Sequence, residues 1–340
     1  IPLLHWRRGK RVLRIRDERE WRTRSMYNLP MSAIEYQRLI MNDRVRMDAF
    51  AKALRQTVTP GCTVIDVGSG TGFLAFLARK LGAKRCILIE REEEFLELSR
   101  AIARRNSIRG CEFLHAHSAE IRGLPKADLV VSETLGNFAY EENILETLTD
   151  ARRFLKKGGV MIPQRIEQYA APLVTQGLWR EIASWDHANH DLDWSEARRK
   201  SMNNMYVKIV RPRDLLPGTG AAKRWDDADL TGGKLRSIRT GELQWHIGSP
   251  VTIYGFALWW VCTLLPGIVL STSPKEPPTH WQQIFLPVEQ PLRLAKGETL
   301  RLGLRSDSRP AVKINVSWTA EQISASGKTM GSQSMDMRKG

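Results

Sequence analysis

The sequence predicts an α/β protein in which a doubly wound, mostly parallel sheet is followed by an all-β domain. Three observations lead to this fold class. An apolar, β-branched run at 64–67 breaks into three glycines before a helix-like segment at 73–81. Predicted strands and helices then alternate as far as Pro163, which is typical of βαβ units. Beyond Pro163, short alternating strands are separated by turns rich in Gly, Pro, Asp and Ser.

The length and composition indicate a folded protein with more than one domain. Of the 340 residues, 42% are hydrophobic, which is enough for a large core. The formal charge of +15 would suit a polyanionic partner such as nucleic acid, but we favour a solvated basic surface. The cysteines show no CxxC spacing, which argues against a metal site and disulfides and favours a reducing, cytoplasmic location: Cys62, Cys86, Cys111 and Cys262.

An uncharged run at 251–270 has the length of a membrane span. Gly255, Pro266 and Gly267 interrupt this run, and its Val, Ile, Tyr and Trp residues suit buried paired strands. We therefore expect strands there and no membrane association.

The N-terminal region divides into a basic extension and a helical segment. Residues 1–24 contain eight arginines, and we assign no role to them. Between 32 and 57, apolar residues recur among good helix formers, which predicts one or two helices before the first strand. Asp43, Arg44 and Arg46 lie here, and by themselves they indicate no more than a salt-bridged surface.

The glycine-rich turn is a candidate cofactor cradle. Gly68, Gly70 and Gly72 follow a strand and precede a helix, so that backbone N–H groups can approach a ligand closely. A dinucleotide fingerprint would need Gly or Ala at Phe73, which argues against NAD. Glu90 ends the next strand and could accept hydrogen bonds from ribose hydroxyls. A nucleoside ligand such as S-adenosylmethionine fits these features, whereas an ordinary α/β glycine turn is the alternative.

The rest of the α/β region follows the same pattern. We predict helices at 93–106 and 144–154, and strands at 85–89, 112–115, 127–131 and 160–162, with a turn at 156–159. Ligands bind beyond the carboxyl ends of strands in such sheets. Four polar or flexible residues fall at these ends: Gly68, Glu90, Ser118 and Glu133.

The second half is predicted to be all-β with a helical insertion. Strands are expected at 165–174, 206–210, 249–258, 283–287, 298–304 and 311–319. The insertion at 179–205 carries large apolar side chains among charges: Trp179, Ile182, Trp185 and Trp194. They either dock on another subunit or fold back onto their own domain.

The loop at 132–142 carries a candidate substrate site. Glu133 and Glu142 are nine residues apart across a turn that contains Gly136, and they could fold back to face each other. Their repulsion would cost several kcal/mol unless a cation lay between them. A planar guanidinium meets this need because its donors pair with carboxylates in a fixed fork. The alternative is that Glu142 caps the next helix and Glu133 acts alone.

These motifs together resemble those of the protein arginine methyltransferases. The loop at 132–142 is similar to the family's double-glutamate loop, and Thr279-His280-Trp281, within 271–281, is similar to its threonine-histidine-tryptophan loop. The glycine motif, Glu90, the segment 43–46 and the Gly158-Gly159 turn follow in family order. The resemblance covers about residues 25–330.

The resemblance implies a Rossmann-like domain at 25–163 that binds S-adenosyl-L-methionine and yields S-adenosyl-L-homocysteine. A β-barrel substrate domain would occupy 164–340, and its segment 179–205 would be a helical arm that docks on the cofactor domain of a second copy in a homodimer. The implied reaction transfers a methyl group to a guanidino nitrogen of arginine in a protein, without a metal.

The family's site residues map onto this chain one by one. The implied catalytic residues are the guanidinium clamp Glu133 and Glu142, and the proton acceptor His280 with its partner Asp43. The implied substrate-binding residues are Tyr27, Thr279 and Trp281. Arg46 would bind the methionine carboxylate and Glu90 the ribose. The other implied cofactor residues are Asp66, Gly68, Gly70, Gly72, Ser118, Ala119 and Glu120.

Two positions depart from the family pattern. Met31 stands where the family has the second tyrosine of an N-terminal pair, so the methylation product is left open. Ala119 stands where the family often has a carboxylate beside the adenine. The alternatives to arginine methylation are an RNA or small-molecule methyltransferase, which the charge would suit, and a catalytically silent dimeric scaffold.

Overall fold

The computed structural model describes residues 33–187, 191–233 and 235–340. The predicted extension at 1–24, Tyr27 and Met31 therefore lie outside the described residues. In the described ranges, a five-stranded parallel sheet is followed by two antiparallel sheets, which confirms the predicted fold class.

Two helices precede the first strand, α1 (Ala33–Asn42) and α2 (Arg44–Thr57). Asp43 separates them because its side chain caps α2, with Oδ1 accepting a hydrogen bond from the Arg46 N–H at 3.1 Å. The α/β region continues with β1 (Thr63–Val67), α3 (Phe73–Lys80), β2 (Arg85–Glu90), α4 (Glu93–Arg105), β3 (Cys111–His115), β4 (Ala127–Ser132), α5 (Ile144–Ala151) and β5 (Leu155–Ile162). The turn predicted at 156–159 lies inside β5, where Gly158 has a φ of 78°.

The parallel strands have the order β3-β2-β1-β4-β5. The order reverses between β1 and β4, and the loops that leave this point diverge and open a crevice for ligands. The Ser132 hydroxyl donates to the Val67 carbonyl at 2.7 Å and ties the carboxyl ends of these two strands together. The loop that carries Glu133 therefore begins beside the glycine turn.

The second half contains ten strands and two α-helices in its described part. In chain order they are β6 (Arg165–Leu173), α6 (Gly177–Ile182), α7 (Ser195–Met202), β7 (Tyr206–Lys208), β8 (Lys223–Asp229), β9 (Ile238–His246), β10 (Val251–Leu265), β11 (Ile268–Ser271), β12 (Gln283–Leu294), β13 (Thr299–Asp307), β14 (Asn315–Ile323) and β15 (Thr329–Asp336). One sheet has the order β7-β12-β10-β6-β8, with β11 paired to β10, and the other has the order β15-β14-β13-β9.

The two antiparallel sheets pack face to face through aromatic side chains. Trp245 on β9 stacks on Phe256 of β10 with ring centroids 6.1 Å apart, and the Trp318 Nε1–H donates to the Pro287 carbonyl at 3.1 Å. No strand pairing joins the two sheets among the residues described here. In the described residues, the region that we expected to be a β-barrel therefore consists of two antiparallel sheets packed on each other.

Strands β8, β9 and β15 were not predicted from the sequence. Most residues of β8 are charged. The strand lies at the edge of its sheet beside β6, and charged side chains of the two strands form ion pairs. The Arg165 Nε donates to Asp227 Oδ1 at 2.7 Å across β6 and β8. Edge strands commonly carry such charges, so their hydrophobic pattern is weak.

The apolar run at 251–270 forms strands, as predicted. It provides β10 and most of β11, and β10 lies between β6 and β12 at the centre of the larger sheet. No helix in the described part of the chain is long and apolar enough to span a membrane.

The helical insertion packs partly on its own sheet. The Trp179 Nε1–H donates to the Val288 carbonyl at 2.8 Å, and Ile182 is buried. Trp185 and Trp194 instead lie together at the exposed end of the insertion, with ring centroids 6.0 Å apart. The four residues grouped in the sequence thus divide into an inner pair and an outer pair.

Candidate active site

A cavity of about 520 Å³ lies at the carboxyl ends of β1, β2 and β4. Its wall combines residues of α1, the glycine turn, the 132–142 loop and the loop before β12. The predicted site residues that line it are Arg46, Gly68, Gly70, Glu90, Ser118, Glu133, Glu142, His280 and Trp281. Residues far apart in the sequence are thus brought to one cavity.

The glycine turn gives this cavity a backbone wall. Gly68 has a φ of 71°, and a Cβ there would lie 2.7 Å from Thr134 Cγ2. Gly72 has a φ of 83°, and a Cβ there would lie 2.5 Å from the Phe76 ring. Both positions therefore need glycine for conformation and for space. The turn fits a ligand whose nucleoside packs against the backbone.

Glu90 holds the glycine turn and faces the cavity. Its Oε2 accepts a hydrogen bond from the Gly70 N–H at 2.7 Å, and its Oε1 accepts one from the Glu92 N–H at 2.9 Å. Each carboxylate oxygen has a second lone-pair site. Glu90 can therefore accept hydrogen bonds from hydroxyl groups of a ribose without giving up its contacts with the turn.

Some predicted cofactor residues lie behind the cavity wall. Asp66 is buried under the turn, where its Oδ2 accepts a hydrogen bond from the Ala75 N–H at 3.1 Å. Burial, opposed by this hydrogen bond and aided by the charge of Glu90, raises the pKa of Asp66 to about 7. The other predicted residues in the described part of the chain that do not line the cavity are Asp43, Gly72, Ala119, Glu120 and Thr279. The side chains of Ala119 and Glu120 are exposed on a short 3₁₀ turn, and Ser118 alone of that turn faces inward.

Arg46 pairs with Glu133 in the cavity wall. Its Nε donates to Glu133 Oε2 at 2.7 Å, and its Nη2 contacts the same oxygen. Glu133 Oε1 accepts a hydrogen bond from the Leu135 N–H at 3.2 Å. These contacts fix the orientation of Glu133 at the start of the loop. Arg46 Nη1 contacts only the weak acceptor Met47 Sδ, at 3.0 Å, so this side of the guanidinium can serve a ligand.

Asp43 connects α2 to the loop before β12. Its Oδ2 accepts hydrogen bonds from the His280 backbone N–H at 2.9 Å and from His280 Nδ1 at 2.7 Å. Burial alone would raise the pKa of Asp43, but the hydrogen bonds from His280 and Arg46 lower it overall. His280 Nε2 is buried and has no hydrogen-bond partner among the described residues. The Asp43 contact thus holds the ring so that Nδ1 is occupied and Nε2 is left for a proton.

Glu142 and Glu141 are adjacent but have different environments. The side chain of Glu142 is exposed to water inside the cavity. Partial desolvation by the cavity walls, then the charges of Glu133 and Glu141, raise its pKa to about 7. Glu141 accepts hydrogen bonds from the backbone N–H groups of Asn137 and Phe138, and burial raises its pKa. Glu142 is therefore the carboxylate available to a substrate, and Glu141 braces the loop.

The sequence patterns gave no role to Tyr36, which also lines the cavity. Its ring meets the His280 ring edge-on with centroids 6.3 Å apart. Burial, then the charges of Glu142 and Glu133, raises its pKa to about 12. The sequence offered one signal for this location: Tyr36 lies four residues before Ile40, and residues at this spacing share one face of a helix.

No group of three or more His, Cys, Asp or Glu side chains in the described ranges is arranged to hold a metal ion. The charged groups around Glu142 instead suit an organic cation, because three carboxylates face it, Glu133, Glu141 and Glu90, and the cation Arg46 offsets only part of their charge. An incoming guanidinium would supply the missing positive charge.

Comparisons with known proteins identify similar families and structures. A methyltransferase domain matches residues 58–214, and an arginine methyltransferase oligomerization subdomain matches residues 164–321. The chain is 27% identical over 318 residues to a probable protein arginine N-methyltransferase 3 of Arabidopsis thaliana, covering 84% of this chain and 52% of that protein. It is 27% identical over 346 residues to the histone-arginine methyltransferase CARMER of Anopheles gambiae, covering 95% and 55%. The chain thus spans about half the length of these relatives.

Solved structures share the fold. The Trypanosoma brucei PRMT1 enzyme-prozyme heterotetrameric complex with AdoHcy aligns with a TM-score of 0.77 at 22% identity, over 89% of this chain and 98% of that one. The Arabidopsis thaliana protein arginine methyltransferase 10 aligns with a TM-score of 0.75 at 22% identity, with the same coverage.

Proposed function

Since the chain belongs to the protein arginine methyltransferase family, we propose that it transfers the methyl group of S-adenosylmethionine to a guanidino nitrogen of arginine in a protein or peptide. The observation that carries this proposal is the pair Glu133 and Glu142, which face one cavity beside the glycine turn. The chemistry of this donor set matches a planar cation placed next to a nucleoside pocket.

The cofactor would be held by the glycine turn, Glu90 and Arg46. The turn fits the nucleoside because its glycines leave no Cβ in the way, and Glu90 would bind the ribose hydroxyls. Arg46 would bind the carboxylate of the methionine moiety through the side of its guanidinium that Glu133 leaves free. When bound, S-adenosylmethionine supplies a methyl group on a positively charged sulfur.

Glu133 and Glu142 would hold the substrate guanidinium. Glu133 is fixed by Arg46 and by the Leu135 N–H, whereas Glu142 ionises when the guanidinium binds and favours its charged form. The two carboxylates would draw positive charge toward the nitrogens that they contact. The remaining nitrogen would then be oriented toward the methyl group, and this orientation would supply most of the rate enhancement.

His280 would accept the proton that the methylated nitrogen releases. Its Nδ1 is held by Asp43, so the tautomer with Nδ1–H leaves Nε2 as the proton acceptor. The carboxylate of Asp43 would stabilise the imidazolium that forms. Trp281, next to His280, would border the substrate with its ring.

Assembly as a homodimer through the segment 179–205 is part of the proposal. Trp185, Leu192 and Trp194 expose apolar surface at its outer end, which a second copy would cover. The match to an oligomerization subdomain supports this assignment. We also propose the domain boundaries 25–163 and 164–340, a barrel-like second domain, and a reducing cytoplasmic location, since the described cysteines are free.

The purified protein, incubated with labelled S-adenosylmethionine and an arginine-rich peptide, should yield methylarginine that mass spectrometry detects. The same peptide with lysine in place of arginine should remain unlabelled, and Glu133→Gln should reduce the label while cofactor binding is largely retained. Label on RNA or on a small molecule, with none on the peptide, would assign the protein to the alternative methyltransferase class. Cofactor binding without any transfer would indicate the scaffold.

A further inference from the structure

The backbone of the 133–142 loop is held by side chains from the antiparallel sheets. The Trp281 Nε1–H donates to the Leu135 carbonyl at 2.6 Å. The Trp260 Nε1–H donates to the Gly136 carbonyl at 3.1 Å, and Gln168 Nε2 donates to the Phe138 carbonyl at 3.1 Å. Three side-chain donors from the second half of the chain thus bind backbone carbonyls of the loop.

A buried ion pair holds the next part of the loop. Tyr140 is fully buried, and its hydroxyl donates to Asp226 Oδ2 at 2.7 Å. Asp226 is in turn gripped by Arg239, whose Nη2 donates to Oδ1 at 2.6 Å and whose Nε donates to both carboxylate oxygens at 2.9 and 3.0 Å. The Arg239 Nη2 also donates to the Asp227 carbonyl at 2.6 Å. Arg239 therefore fixes the position of Asp226, which accepts the hydrogen bond from Tyr140.

The backbone has a positive φ on both sides of this contact. Ala139 has a φ of 54° and Asn143 has a φ of 57°, although neither is glycine. For an alanine this region costs on the order of 1 kcal/mol, and the conformation persists only where the surroundings enforce it, whereas an asparagine adopts it more readily. Tyr140 lies between these two positions and, in the described part of the chain, makes the side-chain hydrogen bond that joins residues 140–142 to the second half. The next side chain, Asn143, adds a hydrogen bond to the Ser308 carbonyl at 2.7 Å.

We propose that Tyr140, fixed by Asp226 and Arg239, is a positioning residue that sets the place of Glu142 relative to Glu133. Tyr140 does not line the cavity and acts through the backbone of the loop. The substrate clamp would then be set by the second half of the chain, while the cofactor cradle belongs to the first. This inference rests on the proposed function.

Tyr140→Phe tests the inference because it removes one oxygen and leaves the ring. Asp226 keeps Arg239 as its partner in this variant, so no buried charge is orphaned. We expect kcat/KM for an arginine peptide to fall about 10- to 100-fold, as for a misplaced reacting group, while the cofactor Kd stays within about twofold. The matched control is Tyr169→Phe, whose hydroxyl lies 3.5 Å from Glu167 on β6 and whose ring stacks on Trp259. This control should change kcat/KM by less than about twofold.

The pH dependence separates positioning from mere stabilisation of the fold. The charged groups that face Glu142 are Glu133, Glu141, Glu90 and Arg46. If the loop relaxes, Glu142 moves away from this enclosure, and the acid limb of kcat/KM should shift to lower pH in Tyr140→Phe but not in Tyr169→Phe. Loss of thermal stability alone would lower the amount of folded enzyme and leave this limb where it is.

Every outcome decides one of the two proposals. A wild-type protein that methylates no arginine peptide would overturn the proposed function itself. An active wild type together with a Tyr140→Phe variant that matches Tyr169→Phe in kcat/KM and in its pH profile would overturn the positioning role. If Tyr140→Phe does not fold, Arg239→Lys replaces it, because this variant keeps the charge beside Asp226 and loses the paired contacts. It should show the same shifts to a smaller extent, and wild-type values would reject the inference.

Discussion

The adjacent residues Glu141 and Glu142 allow a sharp test of how the substrate is held. Each is changed to glutamine, which keeps the shape of the side chain and removes its charge. Both side chains line the cavity, but their environments differ, because Glu142 is exposed to water there, whereas Glu141 accepts hydrogen bonds from two backbone N–H groups of its own loop. We therefore expect opposite results from neighbouring, chemically identical substitutions.

The expected magnitudes follow from these contacts. A hydrogen bond to a charged group contributes roughly 1.5–3 kcal/mol, which corresponds to about 10- to 150-fold in kcat/KM. Glu142→Gln should lose this amount for an arginine peptide, with cofactor Kd unchanged. The amide oxygen of Glu141→Gln can still accept from Asn137 and Phe138, so we expect less than about a threefold change in kcat/KM and a modest loss of thermal stability.

The assay is the initial rate of peptide methylation between pH 6 and pH 9, with cofactor affinity measured by calorimetry. The raised pKa of Glu142, about 7, means that the group is protonated below this pH and cannot pair as a carboxylate. Activity of the wild type should therefore fall as the pH falls through about 7, and Glu142→Gln should lack this limb. A normal rate and a normal acid limb in Glu142→Gln, with the loss in Glu141→Gln, would refute the assignment.

Three further changes probe the rest of the molecule. Gly70→Arg should fill the cradle and weaken cofactor binding by more than about 100-fold, with a small change in Tm. Normal cofactor binding in calorimetry would contradict this expectation. Asp66→Asn should be more stable relative to wild type at pH 8 than at pH 5. The wild-type carboxyl ionises near pH 4 in the unfolded chain but only near pH 7 in the folded protein, so the wild type loses stability between these two values, by roughly 4 kcal/mol once the pH is above 7. A pH-independent difference in Tm would count against this. The double change Trp185→Ala and Trp194→Ala should give a monomer in light scattering, whereas the control Met330→Ala, at another exposed residue, should leave the proposed dimer intact. A double variant that is still a dimer would exclude these two tryptophans from the interface.

The α/β half could be predicted from the sequence because its signals are local. The β-branched run at 64–67, the glycines after it and the acidic end of β2 each follow from the needs of a strand that turns into a helix. The second half was harder, since β8 and β15 are edge strands with polar sequences. The positions of these two strands depend on neighbouring strands that are distant in the sequence, and the local hydrophobic pattern carries no information about those neighbours.

Several residues selected from the sequence line one cavity, but the sequence did not show which of the selected residues face the cavity and which lie behind its wall. The resemblance implied cofactor roles for Asp66 and Gly68 alike, yet Gly68 lines the cavity, whereas Asp66 is buried and accepts a hydrogen bond from the Ala75 N–H behind the turn. In the same way the tryptophans of 179–205 looked equivalent, although Trp179 packs on its own sheet and Trp185 is exposed. Such differences depend on which face of an element meets the core, and tertiary packing decides this.

The contact between Asp43 and His280 has a consequence for how the protein folds during synthesis. It joins residues 237 positions apart, whereas the parallel sheet is built from the contiguous stretch 63–162. Chains emerge from the ribosome N-terminal part first, and contacts of long sequence separation form late. We therefore expect a nascent chain to form its nucleoside cradle early and to complete the contact that orients the His280 ring only after the segment that carries this residue has been synthesised and docked.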